Sequence, residues 1–220
     1  MPSEVLTGLV GWAVLGTAVW AVLWFLGRSQ DKRMGRLVKA AIARGWTYYP
    51  SDPSLATRWS GPPFDNAGTV HDVVTGEIEG TPFTAFGYHW TEGSGDNEVT
   101  RSVLVAAVQL PVALPLLWIS PQTGFGRVAT RLGAQDIDLE SGDFNDAFTV
   151  RADDERYAHA VLHPRMMELL LASPARNQPL RVDGDTVLTW TSDSFDLDRA
   201  AANAVLAGRF ARAVPEFALA

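Results

Sequence analysis

The clearest pattern in the chain is an uninterrupted apolar run near its beginning. Residues 5–27 carry no charged side chain, and Thr7 and Thr17 are the only hydroxyl residues among them. A helix rises 1.5 Å per residue, so this run would be about 34 Å long and would cross a hydrocarbon core of about 30 Å. A cleaved signal peptide is the alternative, but no Lys or Arg precedes the run and no Ala-x-Ala site follows it. The pattern therefore predicts a transmembrane anchor over residues 1–27.

The charges beyond the run indicate how the anchor is oriented. Residues 28–44 contain a single acid and six basic residues. The positive-inside rule places this side in the cytoplasm and the short N-terminus outside the cell membrane. Indole rings favour the headgroup region, and two of them lie near the inner boundary of the run. The predicted membrane-interface residues are Trp20, Trp24, Arg28, Lys32, Arg33 and Arg36.

Residues 28–45 form a basic neck with an amphipathic pattern. Apolar residues recur at helical spacing on one face, at Met34, Leu37, Val38, Ala41 and Ile42. Such a helix can lie in the membrane interface or dock on the domain that follows. Because five modest apolar residues insert weakly into a membrane, we expect docking.

Aromatic residues are concentrated in the turn-rich segment 46–69. This segment is rich in Pro, Gly, Asp and Ser, which predicts a loop. Aromatic rings in a loop usually attach it to a core, and a binding surface is the alternative. The candidate residues for that surface are Trp46, Tyr48, Trp59 and Phe64.

The period then changes to two, which is typical of strands. Residues 70–78 and 81–90 flank Glu79-Gly80 and predict a hairpin, and residues 180–191 predict a second one around Asp183-Gly184-Asp185. Further strands are expected at 99–110, 114–120 and 144–150, with helices at 154–172 and 197–214. Strands in hairpins followed by helices predict an α+β domain over residues 46–220, with a mainly antiparallel sheet and helices packed on it.

A second charge-free run, residues 102–126, raises the alternative of a second membrane span. Pro111 and Pro115 lie in its middle, and each lacks the backbone donor that a helix needs. We therefore expect two buried strands, 99–110 and 114–120, joined by a short turn.

Charge and composition narrow the class of protein. The chain has no cysteine, which excludes disulfides, thiolate metal sites and cysteine nucleophiles. Residues 45–220 contain 12 Arg and 23 acids, a net charge of −11. An acidic body argues against nucleic-acid binding, because phosphate contacts need a basic face.

No motif in the chain specifies a reaction. Residues 124–129 match G-x-G-x-x-A, but a dinucleotide site also needs a βαβ unit, so we expect a plain turn and short helix. His159 and His163 have the spacing of zinc ligands on one helix. Pro164, however, disfavours helical backbone at His163, so we expect a helix boundary or kink there. His71 and His89 lie in the first hairpin without a partner that the sequence identifies. We predict no catalytic residue, metal ligand or cofactor.

Two stretches carry a resemblance, Gly45-Trp46-Thr47-Tyr48 through Trp59-Ser60-Gly61-Pro62-Pro63-Phe64, and His163-Pro164-Arg165-Met166-Met167-Glu168-Leu169-Leu170. They resemble an actinobacterial family of single-span proteins with a soluble domain of unknown function, over most of residues 40–215. The resemblance implies one anchor and a cytoplasmic domain, and it implies no activity.

Three functional hypotheses follow. The first is a non-enzymatic, membrane-tethered cytoplasmic domain that contacts lipid through its anchor and binds a membrane-protein partner or itself. The second is a ligand- or lipid-binding α+β domain at the inner membrane face. The third is an unrecognised hydrolase, which requires His71, His89 or His159 to meet carboxylates in a cleft.

Overall fold

The computed structural model describes residues 32–122, 136–172 and 174–215. Six strands form one sheet: β1 (Thr47–Tyr49), β2 (Thr69–Ile78), β3 (Thr81–Glu92), β4 (Val99–Pro121), β5 (Phe148–Ala152) and β6 (Leu180–Thr191). The helices are α1 (32–43), α2 (Gly142–Ala147), α3 (Glu155–Val161), α4 (Pro164–Leu171) and α5 (Leu197–Ala213). The predicted α+β class with a mainly antiparallel sheet is confirmed.

The sheet is built around β4. Its order is β1-β2-β3-β4-β5, with β6 also paired to β4, and every pairing is antiparallel. β6 follows one edge of β4 from Leu104 to Ile119, while β3 and β5 share the other edge. β4 is 23 residues long, which allows it to join both halves of the domain.

The prediction of two strands within residues 99–120 is wrong. β4 is one strand whose register with β6 shifts twice, between Gln109 and Leu114 and between Leu114 and Leu117. Pro111 and Pro115 lie in these irregular stretches, where the missing N–H disrupts no ladder bond. The alternative of a second membrane span is also wrong, because Val99–Pro121 is β structure.

The hairpin around Glu79-Gly80 is confirmed. Ile78 pairs with Thr81, and Glu79 and Gly80 have φ of 49° and 73°, as a tight two-residue turn requires. The hairpin predicted within 180–191 is wrong, because β6 continues through it. Gly184, with φ of 56°, instead pairs with Leu114 at the irregular part of β4. A glycine with positive φ thus serves a bulge rather than a turn.

The predicted helices are present with altered boundaries. The helix expected over 154–172 is divided into α3 and α4, and Pro164 begins α4 as expected. The strand expected over 144–150 is instead α2 followed by β5, because the Ser141 hydroxyl caps a short helix by accepting from the Phe144 N–H. α5 is capped by Asp196, which accepts from the backbone of residues 198 and 199.

Two apolar clusters lie on opposite faces of the sheet, since alternate residues of β3 and β4 belong to different clusters. One face is covered by the helices, with Phe144, Met166 and Phe210 fully buried against it. The other is covered by the loop between β1 and β2, through Trp59 and Phe64.

The neck helix α1 docks on the domain, as expected, through part of the predicted face. Ala41 is fully buried, and Leu37 and Ala40 are half-buried against the core. Met34 and Ile42, predicted on the docking face, are 39% and 65% exposed. Among the described residues no helix is long and apolar enough to cross a membrane. The anchor predicted over residues 1–27 lies outside the described residues.

Candidate functional site

A bulge in β2 is the starting point of a cavity lined by charged and polar side chains. His71 pairs with Gly87 and Val74 with Ala85, so β2 contains one residue more than β3 across this step. Asp72 lies within it at φ of 50°, and its N–H donates to the Pro50 carbonyl at 2.9 Å. This left-handed backbone directs the side chains of two consecutive residues, His71 and Asp72, toward the same cavity.

The Asp72 carboxylate is buried and fully engaged. It accepts hydrogen bonds from the Tyr48 hydroxyl at 2.6 Å, from Arg33 Nη2 at 2.8 Å and from His71 Nδ1 at 3.0 Å. Burial by itself raises the pKa of Asp72, but the three donors outweigh burial and hold that pKa well below its usual range. The carboxylate is therefore ionised at neutral pH, and its bonds join α1, β1 and β2 at one point.

The same contact changes the titration of Tyr48. Burial raises the pKa of its phenol, and the hydrogen bond to the Asp72 carboxylate raises that pKa further. The hydroxyl therefore stays protonated and acts as a donor throughout the physiological range.

Two imidazole rings form one wall of the cavity. The ring centroids of His71 and His89 are 5.3 Å apart, with an angle of 44° between the planes. A Cβ on Gly87 would lie 2.2 Å from His71 Cε1, so only glycine allows the His71 ring to lie over β3. Because His71 Nδ1 carries the proton donated to Asp72, Nε2 is the nitrogen left for another partner, and it has none among the described residues.

The cavity, named here the Asp72 cleft, has a volume of about 360 Å³. It is lined by Arg33, Met34, Tyr48, Pro50, His71, Asp72 and His89. Ligand sites commonly combine this size with a few convergent polar groups and some apolar wall. The arrangement suits a small ligand with a polar or anionic group.

The cleft meets one condition of the hydrolase hypothesis, since His71 contacts a carboxylate. An Asp-oriented imidazole is the base half of a hydrolytic triad. Its nucleophilic half is missing from the described lining, which contains no Ser, Thr or Cys. Among the described residues no group of three His, Asp or Glu side chains could hold a metal ion.

Three of the six predicted membrane-interface residues lie in the described part of the chain. Arg33 binds Asp72 while 43% of its side chain stays exposed, and its role at the membrane interface stays a prediction. Lys32 and Arg36, together with Gly35 and Lys39, line a shallow cavity of about 510 Å³ on the outer side of α1. Trp20, Trp24 and Arg28 lie outside the described residues.

The predicted aromatic surface is largely core. Trp46, Trp59 and Phe64 are buried, because their rings cover the sheet. The ring centroids of Trp46 and Phe83 are 5.0 Å apart in an edge-on arrangement, and those of Trp59 and Phe64 are 5.4 Å apart. Tyr48 is the candidate that lines the Asp72 cleft, while Trp59 also borders a smaller cavity of about 120 Å³.

The remaining histidines have separate local roles. His159 is exposed and lies 3.8 Å from Glu155 on α3. His163 caps α4: its Nδ1 accepts from the Met166 N–H, and its Nε2 lies 3.3 Å from the Ala213 carbonyl. The glycine motif at 124–129 lies outside the described residues.

Sequence reasoning missed Asp72 and the pairing of His71 with His89. A signal was present, because a consecutive His-Asp pair is unusual inside a strand of β-branched residues. The bulge that makes the pair converge has no such signal.

Comparison with known proteins gives a fold and no activity. A family model described as a protein of unknown function (DUF3137) matches residues 118–182, which include β5 and parts of β4 and β6. No curated protein matches the chain.

Among solved structures, the crystal structure of the mycobacterial trehalose monomycolate transport factor A, TtfA, is similar, with 16% sequence identity and a TM-score of 0.58. The match covers 82% of this chain and 96% of that one. At this identity the likeness shows the fold alone. Together the two matches fit an actinobacterial family of unknown function.

Proposed function

We propose that this chain is a membrane-tethered accessory domain without catalytic activity, held at the cytoplasmic face of the cell membrane by residues 1–27. It would work beside a membrane-embedded partner. The fold shared with a transport factor supports this role. The attachment and outer surface of the neck helix α1 carry the argument.

α1 is fastened to the domain at two points. Arg33, in the first described turn, binds Asp72 at 2.8 Å, and Arg44, directly after the helix, binds Asp198. Between these ion pairs, Ala41 is fully buried. The domain and the neck therefore move together, and the direction of the neck sets the orientation of the sheet.

The outer side of α1 is cationic. Lys32, Arg36 and Lys39 have no carboxylate partner in the described part of the chain. The body beyond residue 44 has a net charge of −11, from 12 Arg and 23 acids. Anionic lipid attracts each basic side chain near the surface by about 1 kcal/mol and repels acidic ones. This contrast favours a pose in which α1 faces the bilayer and the acidic body points away.

The predicted span enforces that proximity. Residues 28–31 separate the apolar run from the described part of α1, and four extended residues reach at most about 14 Å. The cationic side of α1 would therefore lie within reach of the headgroups.

A single-cysteine label tests the pose, since the chain has no cysteine of its own. A Cβ at Gly35 meets no atom within 4 Å, so Gly35→Cys on the outer side of α1 should be tolerated. The full chain would be labelled there with an environment-sensitive fluorophore and placed in nanodiscs containing spin-labelled quencher lipid. Gly142→Cys, equally open but on α2, is the matched control.

We expect strong quenching at position 35, weak quenching at 142, and more quenching at 35 when phosphatidylglycerol replaces phosphatidylcholine. Replacing Lys32, Arg36 and Lys39 by Gln should remove the dependence on anionic lipid. Equal quenching at the two positions would refute the pose. Recovery of the full chain alone, without an integral membrane protein, in repeated purifications from solubilised native membranes would refute the accessory role.

A further inference from the structure

We infer that the Asp72 cleft binds a phosphate group, carried by a lipid headgroup or by a soluble phosphate ester. This site goes beyond the proposed accessory role and does not depend on it. A tethered domain could perform that role with the cleft empty.

The cleft is organised by a residue with left-handed backbone inside a β-bulge. A non-glycine residue rarely adopts φ near 50°, and such strain is concentrated at functional sites. The result is that Asp72, a buried carboxylate, holds Arg33 and His71 in fixed positions. Its charge is balanced by Arg33, so Asp72 orients the donors without itself meeting the ligand.

Three groups that can make further hydrogen bonds face one cavity, and of these His71 donates through Nε2 only when its ring carries a second proton. Arg33 uses Nη2 for Asp72, and its remaining N–H groups have no partner among the described residues, with 43% of the side chain exposed. His71 Nε2 and the His89 ring likewise have no hydrogen-bond partner in the described part of the chain. A guanidinium and two imidazoles around one space suit a tetrahedral anion with several acceptor oxygens.

An anion also improves the electrostatics of the site. A negative charge between the two imidazoles favours their protonated forms, and each protonated ring then donates to the anion. The groups that face these rings are Arg33 on α1, Tyr48 on β1 and Asp72 on β2. Of these Asp72 is the only acid, and it is already engaged by three donors.

The walls and the position of the cleft suit a phosphate ester rather than bare phosphate. Met34 and Pro50 provide an apolar side on which a carbon chain or glycerol unit can lie. Arg33 and Met34 belong to the first described turn of α1, close to the predicted span. A lipid headgroup at the membrane face and a soluble ester both offer the required chemistry.

Histidine NMR provides a site-specific test, because the chain contains four histidines, two in the cleft and two elsewhere. The full chain, labelled with carbon-13 at His Cε1, would be studied in a non-ionic detergent that contains no phosphate. One arm adds glycerol 3-phosphate. The other adds phosphatidic acid, with diacylglycerol of the same chains as its control.

We expect saturable shifts of the His71 and His89 signals, while those of His159 and His163 stay in place. Shifts with phosphatidic acid alone identify a lipid ligand. Shifts with glycerol 3-phosphate alone identify a soluble one, and shifts with both show that the phosphate suffices. No saturable shift of His71 and His89 in either arm overturns the proposal.

Variants separate binding from folding. His89→Gln removes a donor that makes no hydrogen bond within the described fold, so the thermal midpoint should be unchanged while the affinity falls about tenfold. His159→Gln, the same substitution at an exposed position on α3 outside the cleft, is the matched control and should retain full affinity. Equal affinity of His89→Gln and the unmodified chain would overturn the assignment of the site.

Discussion

Replacing Asp72 by Asn tests whether this carboxylate fastens the neck helix. Asn has nearly the same shape and tolerates the left-handed backbone at φ of 50°, so the substitution adds no backbone strain. It removes the negative charge that attracts the three donors from Arg33, Tyr48 and His71. The change therefore isolates the electrostatic part of the contact.

The expected loss of stability at pH 7 is at most about 2 kcal/mol. A fully buried ion pair that loses one partner costs about 3–5 kcal/mol. The Arg33 side chain is 43% exposed and can return to water, so its share is at most about 1 kcal/mol. The donors from Tyr48 and His71 lose charge assistance, which adds about 0.5–1 kcal/mol for the two together.

Acid should reduce the difference in free energy of unfolding between the unmodified chain and the Asp72→Asn variant. A carboxylate with a depressed folded pKa contributes its full stability above the unfolded value of about 3.9, and the contribution is lost as pH falls from there through the folded pKa. The difference in stability between the unmodified chain and the Asp72→Asn variant should therefore be about 1 kcal/mol smaller at pH 3 than at pH 7.

Urea unfolding of the full chain in non-ionic detergent, followed by tryptophan fluorescence, measures both quantities. Asp138→Asn, at an exposed position without a partner in the described structure, is the control and should change stability by less than about 0.5 kcal/mol. A difference for Asp72→Asn that equals the control, or one that is the same at pH 7 and pH 3, would refute the reasoning.

Three further predictions concern other parts of the fold. Ala41→Asp buries an unpaired charge and should lower the thermal midpoint of unfolding strongly. Ala43→Asp, at an exposed position of the same helix, should not lower it. Similar midpoints for the two variants would contradict the docking of α1. Gly87→Ala places a methyl group 2.2 Å from His71 Cε1, so it should destabilise the domain and displace the His71 NMR signal, and an unmoved signal would contradict the packing. Tyr157 has a buried hydroxyl with no partner in the described part of the chain, and burial raises its pKa to about 12. Tyr157→Phe should be neutral or stabilising at pH 7, and it should lessen the loss of stability between about pH 10, the unfolded value, and pH 12; an unchanged alkaline profile would argue against burial.

Local chemistry made much of the fold predictable from the sequence. The hairpin at Glu79-Gly80 follows from residues that adopt positive φ, and the boundary at Pro164 follows from the clash between proline and the preceding turn. The prediction of a second hairpin is wrong because Gly184, which also favours positive φ, lies at a bulge of β6 and not in a turn. The sequence around a glycine predicts its positive φ, but it does not predict which strand pairs with that residue.

The candidate site shows the same division more sharply. Counting from the Ile78–Thr81 pair would place His71 opposite Tyr88, and His89 would then face the other side of the sheet. The extra residue in β2 shifts the register by one, so that His71 meets Gly87 and shares a face with His89. A register shift of one residue moves the side chains of a strand to the opposite face of the sheet. No local sequence pattern predicts the shift between His71 and Val74.

The sequence by itself determined the apolar run, the basic neck, the acidic body and the α+β class, because each depends on composition or on a period of a few residues. The tertiary structure decided which face of α1 docks, that residues 99–121 form one strand, and that Arg33, Tyr48, His71, Asp72 and His89 meet around one cavity. These groups come from α1, β1, β2 and β3. Their meeting depends on strand register and helix docking, which arise from long-range packing and leave no local trace.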